Sequence, residues 1–125
     1  MLHPMSLRFD VEHRDGYSVV RVEGAPSLGQ FLSFLHLIGV ETAGWQVRRV
    51  LFDLRGIETL TTFTEHYSIG GEAARQLAHL QRVAALLEPH RITRAGEKTA
   101  QQEGMNLMAF TDEAEAVAWL TASPG

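Results

Sequence analysis

The sequence predicts an α/β domain with a mixed, mostly parallel sheet of five strands and about four helices, in the order ββαβαβαβα. Three observations carry this. The chain opens on an alternating hairpin. After it, apolar runs of strand length alternate with segments of helical period. Glycine, proline or a capping residue marks the change-overs. Strands that alternate with helices are joined by right-handed crossovers, so they lie parallel with helices on the sheet faces. The 125 residues are enough for one domain, 1–125, with a core from about 7 to about 120.

The segment LRFDVEH, Leu7–His13, sets Leu7, Phe9 and Val11 against Arg8, Asp10 and Glu12, the pattern of a half-exposed strand. Arg14-Asp15-Gly16 supplies a turn. Tyr17–Gly24 is the second strand, with Val20 and Val22 opposite Tyr17, Val19 and Arg21. Pro26 marks a boundary, and Ser27 is placed to cap a helix in which Leu28, Phe31, Leu32, Leu35 and Ile38 recur at helical spacing. Gly44 and Trp45 close that segment. Arg48–Leu54 is a more apolar third strand.

Thr64–Leu80 reads as the second helix, with Phe63, Tyr67, Gly70, Gly71, Ala74, Leu77 and Ala78 as its inner stripe. The Gly70-Gly71 pair costs roughly 1 kcal/mol per glycine against alanine in a helix interior. It therefore serves close approach, or leaves a space. Arg82–Glu88 is nearly all apolar, as a strand buried on both faces requires. Thr93–Gly104 is a third helix ended by glycine, and Asn106–Phe110 a short strand. Thr111–Leu120 is a last helix, with Thr111 as N-cap and acids in its first turn. Thr121–Gly125 is a frayed tail.

Composition narrows the function. With no cysteine, disulfides, thiolate metal sites and cysteine catalysis are excluded. The net charge is −4, and the bases are ten arginines and the single lysine Lys98. Only Arg48-Arg49 and Arg91/Arg94 approach a cluster, which argues against nucleic acid. The N-terminus lacks the basic start and apolar run of a signal peptide. The stretch FLSFLHLIGV is about half the length of a membrane span. A cytoplasmic protein, bacterial in type, is expected. There is no Gly-x-x-x-x-Gly-Lys loop and no Gly-x-Gly-x-x-Gly after a strand. In HYSIG, His66 stands where a nucleophile elbow needs glycine. The six histidines show no i,i+4 pairing, so no metal and no cofactor is expected.

Three segments carry a family resemblance: RRVLFDLRGIETLTTFTEHY, RVAALLEPHRITRAGEKTAQQEGMNLMAF and the ending FTDEAEAVAWL. The last, in which a strand ends in Phe-Thr-Asp before a short helix closing Ala-Trp-Leu, is the most specific. The pattern resembles the STAS domain of bacterial anti-sigma-factor antagonists, and more closely the SpoIIAA-like STAS/SEC14 group of small bacterial proteins. The resemblance covers about Leu7 to Leu120 and implies the fold. It implies a non-enzymatic interaction module, regulatory in type. Its SEC14 side suggests the alternative of a carrier for a small apolar or lipid-like ligand in a pocket.

The resemblance also implies a phosphoacceptor at the start of the second helix, which falls on Thr61 or Thr62. The family's preceding aspartate is absent here, and a bulky Phe63 follows. A phosphate there would meet free backbone N–H groups and the positive end of the helix dipole. Against this, Thr62-Phe63-Thr64-Glu65 has the spacing of a capping box, which needs no partner. Asp53 ends an apolar strand at the sheet edge where open α/β folds bind ligands. Arg55, His66, His90 and Arg91 are its candidate companions, with Thr59, Thr61, Glu88, Thr93, Thr111 and Asp112 collecting at the same edge. The alternative is that Asp53 is paired with nearby amides or an arginine. His66 is the best general-base candidate, the preferred alternative being an ordinary surface or half-buried helix residue. Phe34 and Leu37 lie off the first helix's apolar stripe, so both are expected to meet water and to form a homodimer interface.

Overall fold

A computed structural model describes residues 6–91 and 94–123. Strand β1 (Leu7–Arg14) and strand β2 (Tyr17–Gly24) form an antiparallel hairpin, paired from Leu7↔Gly24 to Arg14↔Tyr17. Asp15 and Gly16 alone make its loop. There follow α1 (Leu28–Ala43), β3 (Arg49–Ile57), α2 (Phe63–Leu77) and β4 (Arg82–Leu86). A 3-10 turn at Pro89–Arg91 leads to α3 (Ala95–Gln102), β5 (Leu107–Phe110) and α4 (Glu113–Thr121). The sheet order is β1-β2-β3-β4-β5, with every pair after the hairpin parallel.

The expected element order is present. Because the parallel strands follow one another in space as in sequence, crossovers of one hand bring α1, α2 and α3 to the same face. The period of two then sorts the strand residues. Val20, Val50, Phe52 and Val83 face those three helices. Val19, Leu51, Ala84 and Leu86 face α4, against Ala116 and Leu120.

Local chemistry fixes the ends. Ser27 and Gln30 make a reciprocal capping box at α1. Asp112, one residue after the expected Thr111, caps α4 by accepting the Ala114 N–H. The end of α3 is a Schellman turn, in which Gly104 donates to the Gln101 carbonyl and Met105 to that of Ala100. Thr93, expected in that helix, lies outside the described residues, as do Pro124 and Gly125 of the tail. The helix begins after Arg94, which stands at φ 64°. The last turn of α4 carries no base of its own. Arg49 donates there to the carbonyls of Leu120 and Ala122, and Arg82 to those of Trp119 and Ala122. Two strand-start arginines thus complement the negative end of the helix.

Two burial expectations need correction. Phe34 is only 4 % exposed. The added strand β1 extends the sheet beyond α1, and Phe9 on it meets the Phe34 ring edge-on at 5.1 Å. Helix α1 therefore buries two flanks rather than one stripe. Conversely, Phe63 and Tyr67 are 68 % and 58 % exposed, because the first turn of α2 runs clear of the sheet. The buried residues of α2 are Gly70, Ala73, Ala74 and Leu77.

The two adjacent glycines of α2 differ in use. A Cβ on Gly70 would collide with the Gly96 carbonyl of α3, whereas one on Gly71 would meet only the far end of the Arg75 side chain at 3.8 Å. Gly71→Ala is therefore expected to raise stability by about 1 kcal/mol through helix propensity. Gly70→Ala should lower it by about 1–3 kcal/mol, as overpacking does. Urea unfolding of the two variants checks the pair.

Candidate functional site

Two polar clusters lie at the carboxyl edge of the sheet, on opposite faces. The first is built on β3. Its alternation turns Asp53 toward α4, opposite Arg21 of β2 in the strand register. Arg21 Nη1 donates to Asp53 Oδ2 at 2.7 Å. Arg55 binds the same carboxylate through Nε and Nη2 at 3.0 Å each, and its backbone N–H adds a third bond. Glu113 in the first turn of α4 accepts from both arginines at 3.2 Å. Burial alone would raise the Asp53 carboxyl, but the bonds from Arg55 and Arg21 outweigh it and hold the group below its ordinary value. Hydrogen bonds from Arg21 do the same for Glu113. The result is a closed, neutral quartet that ties α4 to the sheet.

The second cluster is the turn between β3 and α2. Leu60 stands at φ 66°, a left-handed conformation that costs a non-glycine residue about 1 kcal/mol. Its side chain is nevertheless buried in the core, and His66 Nε2–H donates to its carbonyl at 2.7 Å. After that turn, Thr62 Oγ1 accepts the Glu65 N–H at 3.2 Å while the Glu65 carboxylate accepts the Thr62 N–H at 3.1 Å. The capping box read from the sequence is present. The Thr62 hydroxyl also donates to Glu65 Oε1 at 2.9 Å. These bonds, the Thr62 backbone one foremost, hold the Glu65 carboxyl below its ordinary value. Thr61, Phe63, Thr64 and Tyr67 are exposed around it.

The strand-end residues named from sequence do not form one site. Asp53 and Arg55 belong to the quartet facing α4. His66 and Arg91 lie on the other face, where Arg91 donates to the carbonyls of Glu58 and Thr59. His90 is exposed on the 3-10 turn. The sheet separates Asp53 from His66, so a carboxylate–imidazole–threonine constellation is not assembled. The Phe34/Leu37 contact surface loses its aromatic half, since Phe34 is core. What remains is Leu37, 54 % exposed, beside Val40. Sequence reasoning missed Arg21 and Glu113 as partners of Asp53, although Arg21 sits inside an apolar alternation, which is a signal for a partnered charge. It also missed the exposed pair Phe63 and Tyr67. Among the described residues no three His, Asp or Glu side chains converge as a metal site, and no helix is long and apolar enough to cross a membrane.

No family model matches the sequence, and no curated protein does. The fold has solved counterparts. An anti-sigma factor antagonist from Mycobacterium paratuberculosis superposes with a TM-score of 0.66 at 19 % identity, over 98 % of this chain and 100 % of its own. An uncharacterised DUF3478-family protein with a SpoIIAA-like fold, from Shewanella loihica PV-4, gives 0.56 at 16 % identity, over 96 % and 98 %. A serine-to-glutamate variant of RsbS from Moorella thermoacetica gives 0.52 at 17 %, over 90 % and 94 %. The chain has the SpoIIAA-like STAS fold expected from its sequence.

Two outcomes follow from the clusters. Thr62→Ala should lower stability by about 1 kcal/mol through the lost cap, with Thr62→Ser close to wild type; chemical denaturation measures both. The quartet sets an acid limit. Asp53 and Glu113 are held below the ordinary carboxyl value of about 4. Their contribution is therefore complete above that value and is lost as the pH falls through the lower folded values. Asp53→Asn should cost about 1–2 kcal/mol near neutrality, less than the ~3–5 of a fully buried pair, because both arginines are partly solvated. The variant should also show a shallower loss of melting temperature from about pH 5 to about pH 3.

Proposed function

We propose that this chain is a non-enzymatic, regulatory interaction module that docks a protein partner at the start of α2. The observation that carries the reading is the pair Phe63 and Tyr67. Two large aromatic side chains, one helical turn apart, remain mostly in water beside a turn held rigidly by a capping box and the His66–Leu60 bond. Exposed aromatics on a fixed element are the usual anchors of an interface, and a preformed turn lowers the ordering cost of binding. One structural counterpart is described as an anti-sigma factor antagonist, which supports a protein partner of regulatory kind.

Of the two candidate phosphoacceptors, Thr61 is the better placed. The Thr62 hydroxyl is committed to Glu65, and a phosphoryl group on it would be set against that carboxylate. The non-enzymatic reading is supported by His66, whose Nε2 is spent on a backbone carbonyl, and by Asp53, enclosed by arginines. Carriage of a lipid is not favoured, because the apolar cavity between the sheet and helices α1–α3, about 140 Å³, is well below the roughly 300–1,000 Å³ of sites for larger ligands.

A photoreactive phenylalanine analogue placed at position 63, 67 or 37 in the native host tests the docking surface. The expected result is one common cross-linked protein from positions 63 and 67 and none from position 37, with the cross-link at 67 lost on Phe63→Glu. Cross-linking from position 37 alone would move the interface to α1 and contradict the proposal.

A further inference from the structure

A cavity of about 140 Å³ lies between the sheet and the three helices on its face. Its floor is Ala85 of β4 and Ala109 of β5, which are register partners. Both keep some exposure, 9 % and 8 %, although helices lie above them, while Ala84 on the opposite face has none. Alanines so placed keep accessible area only if the space above them is unfilled. Leu60 and Ile69 form part of the wall, and Arg91, Arg94 and Glu97 also border the space.

The chemistry of that lining is specific. The Arg91 guanidinium is bonded to two backbone carbonyls. Arg94 is paired with Glu97 at 2.9 Å, and Glu97 also accepts the Ala109 N–H at 2.6 Å. Each of these charges has a partner. Among the described residues no buried side-chain nitrogen or oxygen lacks a hydrogen bond. Nothing in the wall calls for a polar ligand, and a charged one would lose its hydration without compensation. In volume the space is close to the ~150 Å³ apolar cavity that stays dry and admits benzene. Strain points to the same place. The two non-glycine residues with positive φ among those described, Leu60 and Arg94, both border this cavity, and such strain gathers at ligand sites.

We infer that the cavity is a binding site for one neutral apolar molecule, about the size of a single aromatic ring or a short branched alkyl chain. It is independent of the docking surface, and its test does not use a protein partner.

Benzene is the probe, followed by methyl NMR and thermal unfolding of the whole chain, with benzoate as its charged counterpart. The expected result is saturable shifts in methyl groups that line the cavity, those of Leu60, Ile69, Ala85 and Ala109 among them, and none in the methyl groups facing α4, with a saturable rise in melting temperature. Benzoate should bind at least about tenfold more weakly, since even 1.4 kcal/mol of lost hydration gives that factor. Ala85→Leu, which fills the floor, should weaken benzene binding at least tenfold. Ala109→Val provides the same test should the first variant fail to fold. A response linear in benzene, equal binding of benzoate, or an unchanged response in a folded filling variant would overturn the inference.

Discussion

The contact on which the rest of the helix layer depends is that between α2 and α3, where Gly70 meets the Gly96 carbonyl and Gly96 in turn lies against the backbone of His66. Helices that touch through backbone have their spacing set by it. Here the contact places the first turns of α2, and His66 carries the placement on to the Leu60 carbonyl. The threonine turn is thereby positioned from below. With the two helices held on each other, the alanines of β4 and β5 are left under an open space rather than filled from above.

The sheet then acts as a partition. Alternation along β3 sends Phe52 to the three-helix side and Asp53 to α4, so residues adjacent in sequence serve different layers. On the α4 side the polar groups are consumed in structure: the quartet at one end of the helix and the Arg49 and Arg82 caps at the other. On the other side the polar groups surround a turn that stays exposed. The separation explains why Asp53 and His66, both at the same sheet edge, are not brought together.

Legibility followed the range of the interactions. The strand alternation, the Ser27 and Thr62 caps and the order of elements depend on neighbours a few residues apart, and all were readable. Phe34 was misjudged because its burial depends on Phe9, far earlier in the chain, and helical period alone cannot see an extra strand. Phe63 and Tyr67 lie near the buried azimuth of α2 but above the edge of the sheet, so position along the helix overrode direction around it. The Asp53 pairing was foreseen as a class, but not its partners, since Arg21 and Glu113 stand 92 residues apart. Gly70-Gly71 was rightly suspected, yet which glycine was indispensable depended on what α3 placed opposite.

The central claim is that the α2–α3 contact holds the threonine turn in place. Hydrogen exchange of the amides from Thr62 to His66 tests it most directly, compared between wild type and Gly70→Ala under conditions where both are folded. The account predicts that prying the helices apart speeds exchange in that turn and in the first turn of α3, while the paired amides of β2 and β3 keep their protection. Unchanged exchange in the turn, or an equal loss of protection across the sheet, would contradict it.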